Sequence, residues 1–100
     1  MKKTYKIIYI ETALNDLEEI IIYVKDRNKS YVDKFINSLD NKINQLKQFP
    51  FMGKSYMNVR LHDEYRTINI DQYLVFYVII DDIVEIRRII HEKRDYNRFI

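Results

Sequence analysis

The chain divides at Pro50 and Gly53, its one proline and its one glycine, where one hydrophobic rhythm stops and another begins. Before the break, apolar residues recur every three or four positions. Ala13, Leu17, Ile20, Ile21 and Val24 make one stripe; Val32, Phe35, Ile36, Leu39, Ile43, Leu46 and Phe49 make a longer one. Both spacings predict amphipathic helices, with Asn15, Glu18, Glu19 and Lys25 on the outer side of the first. Thr12 is placed to cap the first helix and Ser30 the second, which is expected to start near Tyr31 and to stop at Pro50. The polar stretch 26–29 between them is short, so the helices should form an antiparallel hairpin with a shared apolar face.

After Gly53 the period falls to two. Residues 65–70, 73–80 and 83–90 read as strands separated by Asp71-Gln72 and Asp81-Asp82, pairs suited to tight antiparallel turns. The middle run, Tyr73-Leu74-Val75-Phe76-Tyr77-Val78-Ile79-Ile80, is apolar on both phases and is expected to be central; its neighbours interleave Arg66, Thr67, Asn69, Glu85, Arg87 and Arg88. A further short run, 5–10, has the length of one strand and is expected inside the sheet. The resulting order predicts a single α+β domain over 1–100: an N-terminal strand, an antiparallel helical hairpin, then a three-stranded antiparallel run completing a four-stranded sheet.

Composition narrows the chemistry. A chain of 100 residues with 47% hydrophobic positions can build one core unaided. With no cysteine and two histidines it offers no disulfide, no thiol nucleophile and no thiolate or histidine-built metal site, and no metal or cofactor is expected. The lysine-bearing N-terminus runs into Glu11 and a charged helix, and the longest apolar runs fall far short of the roughly 20 residues a bilayer span needs, so a cytoplasmic protein without membrane contact is expected. Seventeen basic against fifteen acidic residues leave a net charge of +2, so any nucleic-acid or acidic partner must be met by local clustering. Such a cluster closes the chain: Arg87, Arg88, His91, Lys93, Arg94 and Arg98 are opposed only by Glu92 and Asp95.

Taken in order, Ala13, Leu17, Ile20, Tyr23, Phe35, Leu39, Ile43, Leu46, the Pro50 to Gly53 break, Tyr65-Arg66, Tyr73-Leu74-Val75-Phe76-Tyr77 and Arg88-Ile89-Ile90-His91-Glu92-Lys93-Arg94-Asp95 resemble the RelE/ParE family of toxins from type II toxin-antitoxin systems. The resemblance spans residues 5 to 96. It implies a bacterial growth inhibitor held in check by a cognate antitoxin protein, in a toxin-antitoxin hetero-oligomer. Its cellular target would be DNA gyrase for ParE-like members, or ribosome-bound messenger RNA for RelE-like endoribonucleases; a non-toxic member would act with its antitoxin in transcriptional autoregulation. The RelE-like nucleases present basic residues on the concave face of the sheet, with an arginine directly after the aromatic that opens the central strand. Here that position is Leu74, which can neither activate a 2′-hydroxyl nor stabilise a phosphorane. Arg66 and Arg94 fall at two other nuclease positions, and Tyr96 is out of step with the family's terminal tyrosine. The wording of the central strand and of the His91 to Asp95 segment is more ParE-like.

Several side chains admit two readings. His91 suits proton transfer or a structural hydrogen bond; with Arg66 and Arg94 it completes the candidate catalytic set if the protein is a nuclease. Arg94 can pair with Asp95 or meet a phosphate or an acidic antitoxin side chain. Arg88 shares a strand phase with Val84, Ile86 and Ile90, points toward the core, and so requires a partner. Glu18 and Glu19 diverge around their helix and read as solvated rather than as paired acid-base groups. Arg87, Lys93, Arg94 and Arg98 are the candidate target-binding residues. Ile22, Tyr23, Tyr31 and Phe51 lie outside or at the margin of the two stripes and are the candidate antitoxin-binding residues, on a groove between hairpin and sheet.

Overall fold

A computed structural model describes residues 3–57 and 64–94. β1 (Lys6–Tyr9) leads into α1 (Glu11–Arg27) and, after Asn28 alone, α2 (Lys29–Leu46). A 3-10 turn at Pro50–Met52 precedes β2 (Lys54–Tyr56), β3 (Tyr65–Ile70), β4 (Tyr73–Ile80) and β5 (Ile83–His91). The strands form one sheet in the order β1-β5-β4-β3-β2. Among the described strands only β1 against β5 is parallel. β4 is the central strand, as its two-phase apolar pattern requires.

Among the described residues the sheet has five strands rather than four, because Lys54-Ser55-Tyr56 pairs with β3 although three residues carry no readable alternation. β1 is an edge strand, not an interior one. The expected caps also differ. α1 opens after Ile10 with no side-chain cap, and Thr12 instead donates from Oγ1 to the Arg87 carbonyl at 3.0 Å. α2 begins at Lys29, two residues early, and the Ser30 hydroxyl donates to Asn28 Oδ1. Phe49 lies beyond the end of α2 and is exposed, so it leaves the second stripe.

Both helices pack on one face of the sheet. Ala13, Ile20 and Val24 of α1 and Phe35, Leu39, Ile43 and Leu46 of α2 bury themselves against Ile68, Ile70, Tyr73, Val75, Tyr77, Val84, Ile86 and Ile89. The other face, helix-free among the described residues, has its own small cluster: Tyr65, Phe76, Val78 and Ile90, with Tyr56 and Leu74 packed beside it. An irregularity between Phe76 and Tyr77 separates the two sets on β5. Tyr77 pairs with Ile86 and Phe76 with Arg88, so Arg87 is an extra residue in β5. The phase therefore breaks: Val84, Ile86 and Ile89 belong to the helix-side core, whereas Ile90 belongs to the other.

Two hairpin turns hold their first residues in the left-handed region, Asp71 at φ 53° and Asp81 at φ 55°, which aspartate tolerates better than most side chains. Gly53 is required for closeness. A Cβ there would lie 2.7 Å from the Thr67 carbonyl oxygen and collide with the Tyr77 hydroxyl.

Candidate functional site

The helix-side face ends in a cleft of about 470 Å³ between α1 and the last four residues of β5, with the Asp71-Gln72 turn beneath it. Asp16, Glu19, Ile20 and Tyr23 line it from α1, and Arg88 to His91 from β5. Gln72, Tyr73 and Arg94 complete the wall. Its floor is fixed by aromatic packing. Tyr73 meets Phe35 edge-on at 5.4 Å between centroids and His91 edge-on at 5.3 Å.

Asp16 organises the α1 side. Its Oδ2 accepts from Arg88 Nε at 2.7 Å and from the Ile89 backbone N–H at 2.9 Å, and its Oδ1 accepts from the other end of the guanidinium at 2.9 Å. The Asp16 hydrogen bonds raise the Arg88 pKa above its usual value, against the opposing effect of burial. Arg88 thus has the partner expected for it, reached across the edge of the sheet.

On the opposite wall, the His91 ring lies between Gln72 Oε1, 3.2 Å from Nε2, and the Lys93 backbone N–H, which donates to Nδ1 at 3.1 Å. An acceptor Nδ1 leaves the proton of a neutral imidazole on Nε2, facing Gln72. The next turn is closed by the Arg94 N–H donating to the His91 carbonyl at 3.0 Å. Below, the Tyr31 hydroxyl donates to Asp71 at 2.6 Å, tying the start of α2 to the β3–β4 turn. That bond, with lesser help from burial and the Asp71 charge, pushes the Tyr31 pKa up to about 12.

The cleft brings together Tyr23, His91 and Arg94. Arg66 is elsewhere. It sits on the helix side of β3 opposite Tyr77, where its guanidinium donates to the carbonyls of Gly53 at 2.9 Å and Phe51 at 3.3 Å, near Glu64 and over the Phe51 ring. His91 pairs with Tyr73, four residues along β4 from Tyr77, which places the two positions about 13 Å apart along the sheet at ~3.3 Å per residue. Arg66, His91 and Arg94 therefore do not converge on one phosphate. Tyr77 explains why Arg66 is drawn there: its buried hydroxyl donates to Pro50 O at 2.7 Å and accepts from Gly53 N–H at 3.0 Å, pinning the turn whose carbonyls Arg66 reads.

Of the candidate target-binding residues, Lys93 is exposed and Arg94 lines the cleft. Arg98 lies outside the described residues, as do Asp95 and Tyr96. Arg87 is tied down on the helix-free face, ion-paired with Glu85 and donating to the Tyr65 hydroxyl at 3.3 Å. Among the candidate antitoxin contacts, Ile22 is 62% exposed, Tyr23 53% and Phe51 60%. Tyr23 carries Arg27 over its ring at 3.6 Å. Tyr31 is half-buried against the helix-side core, and Phe51 is at the far end of the sheet with Arg66. Sequence reasoning missed Asp16, Gln72 and Tyr73 as cleft residues. Asp16 and Gln72 are single polar positions without a motif, and Tyr73 reads as strand core. Among the described residues no three acidic or histidine side chains gather as a metal site, and no helix is long and apolar enough to cross a membrane.

A helical hairpin on one face of a mixed sheet, with β1 parallel to the last strand, is the RelE/ParE toxin fold. The chain superposes with a TM-score of 0.72 on a protein of the chromosomal ParDE toxin-antitoxin system of P. aeruginosa, at 14% identity over 89% of this chain and 97% of that one. A protein of the RelBE2 toxin-antitoxin complex of Mycobacterium tuberculosis gives 0.55 at 19% identity, covering 88% and 98%. One from the archaeal RelE-RelB complex of Pyrococcus horikoshii also gives 0.55, at 15% identity, covering 91% and 98%. No curated relative matches the sequence. The model of the ParE toxin of the type II toxin-antitoxin system parDE matches residues 7–96, and the chain belongs to that family.

Proposed function

We propose that this ParE-family protein inhibits bacterial growth by binding DNA gyrase, without cutting RNA, and that a cognate antitoxin neutralises it by occupying the cleft between α1 and β5. The observation that carries the target reading is the helix-free face of the sheet. A RelE-like nuclease would present cations to the scissile phosphate there. In this chain that face holds Leu74, Phe76, Val78 and Ile90, its Arg87 is neutralised by Glu85, and Arg66 belongs to the opposite face. Phosphodiester cleavage needs a positioned base and a positioned cation, each worth about 10² to 10⁴-fold, and they must share a site.

The antitoxin reading is supported by family membership and by the toxin-antitoxin complexes among the structural neighbours. Tyr23, exposed on the cleft wall, and Ile22, exposed on the same helix, offer apolar surface of the kind that seeks a partner. Lys93, Arg94 and Arg98 are assigned to the target, with Lys93 and Arg94 shared between target and antitoxin surfaces.

Induced expression with and without a candidate antitoxin gene, sought as a small reading frame beside this one, tests this reading. Growth arrest that the second gene relieves, and a complex of the two products that survives gel filtration at micromolar concentration, are expected. Separate elution of the two proteins, or no arrest at all, would contradict it; the latter would favour a non-toxic regulator.

A further inference from the structure

The outer side of β5 is only partly covered. β1 pairs with Ile83 to Ile86, and its row ends where Ile10 N–H donates to Ile86 O and the chain turns into α1. β5 continues to His91. Beyond the extra residue Arg87 the next two backbone groups are met by side chains of α1: Thr12 donates to the Arg87 carbonyl, and Asp16 accepts from the Ile89 N–H. Glu92 N–H, by contrast, donates inward to Gln72 O. Backbone direction alternates along a strand, so even-numbered residues from 88 bond toward β4 and odd-numbered ones face outward. The Ile89 carbonyl and the His91 N–H therefore point into the same row, past the point where α1 fills it.

A carbonyl at one residue and an N–H two residues on is the pair of groups that a single residue of a parallel strand engages. An antiparallel strand reaches the same two groups only through two of its residues, and the one bonded to the Ile89 carbonyl would aim its own carbonyl at the Ile89 N–H, which the Asp16 carboxylate already holds. We propose that this row receives one extended peptide segment of the antitoxin, running parallel to β5. One of its residues lies opposite Ile90, donating to the Ile89 carbonyl and accepting from the His91 N–H. The residues on either side of it turn toward the helix side, where Ile20, Tyr23, Ile89 and Tyr73 line the cleft, and are apolar. Parallel direction fixes the charge order: the C-terminal end of the segment arrives at Lys93 and Arg94 and is acidic there, whereas its N-terminal end passes Asp16 and Glu19.

This inference rests on the antitoxin reading above and specifies how the cleft is filled. Backbone amide exchange, resolved by NMR in the free toxin and in the complex with the candidate antitoxin, tests it. The His91 amide should slow at least tenfold on complex formation, while the Ile89 amide, already bonded to Asp16, changes little. Tyr23→Ala, and separately the pair Lys93→Glu with Arg94→Glu, should each weaken the complex about tenfold at an unchanged melting temperature, and Tyr23→Phe should restore it. A stable complex with unaltered His91 exchange would overturn this proposal and leave the antitoxin reading standing. Absence of any complex would remove both. His91 protection that grows with toxin concentration alone would give the row to a second copy of the chain and overturn it as well.

Discussion

Asp16 holds three donors at once, two from Arg88 and one from the Ile89 backbone, in a setting where its side chain is 13% and that of Arg88 23% exposed. Asp16→Ala leaves a half-buried guanidinium and a backbone N–H to be solvated at the sheet edge. A loss of about 1 to 3 kcal/mol is expected, read by urea denaturation, because hydrogen bonds to charged groups weigh more than neutral ones. An unchanged midpoint would mean that water replaces the carboxylate without loss. Tyr31 offers a pH test. Its folded pKa is raised from 10.0 to about 12 by donation to Asp71. A raised pKa means that the bond's contribution is complete below pH 10 and is lost as pH climbs toward 12. The stability gap between the native chain and Tyr31→Phe should therefore be flat through neutral pH and close across that window. A gap that widened there would show the wrong sign.

At the scale of elements, the helices and the last three strands were legible because their apolar periods run long enough to be distinctive. What was not legible has local causes. β2 is three residues long, the extra residue in β5 leaves no mark in Arg87-Arg88, and α1 starts without a capping side chain at Ile10. The irregularity matters for the site. A strict alternation groups Arg88 with Val84, Ile86 and Ile90, whereas the fold puts Ile90 on the helix-free face and leaves Arg88 to reach Asp16 over the edge. The cleft was visible in part: Tyr23, His91 and Arg94 stand out as exposed or reactive types, but their meeting depends on the hairpin angle, which no sequence period encodes. The Pro50 to Gly53 turn is the element whose sequence signal is most specific. Tyr77→Phe removes the partner of both the Pro50 carbonyl and the Gly53 N–H, and should cost about 1 to 3 kcal/mol. Gly53→Ala should cost a similar amount by crowding the same hydroxyl. Thermal melts of the two variants should both shift down; a neutral Gly53→Ala would mean that the turn moves freely.

For the whole molecule, folding and toxicity should separate. Lys93 and Arg94 follow the last core strand, and the combined change Lys93→Ala, Arg94→Ala and Arg98→Ala should abolish growth arrest on induction while leaving the melting temperature within a degree or two. Retained arrest would remove this basic segment from the working surface. The decisive choice is between two targets that one fold can serve. Among the described residues the helix-free face has an apolar centre, and Arg87 and Arg88 are already ion-paired, which argues against RNA cleavage and so favours gyrase. Purified toxin should be added in parallel to a gyrase supercoiling reaction and to ribosomes carrying a defined transcript. The account predicts inhibited supercoiling with the transcript intact; a transcript cut in the decoding site, lost in Arg94→Ala, with supercoiling unaffected, would contradict it.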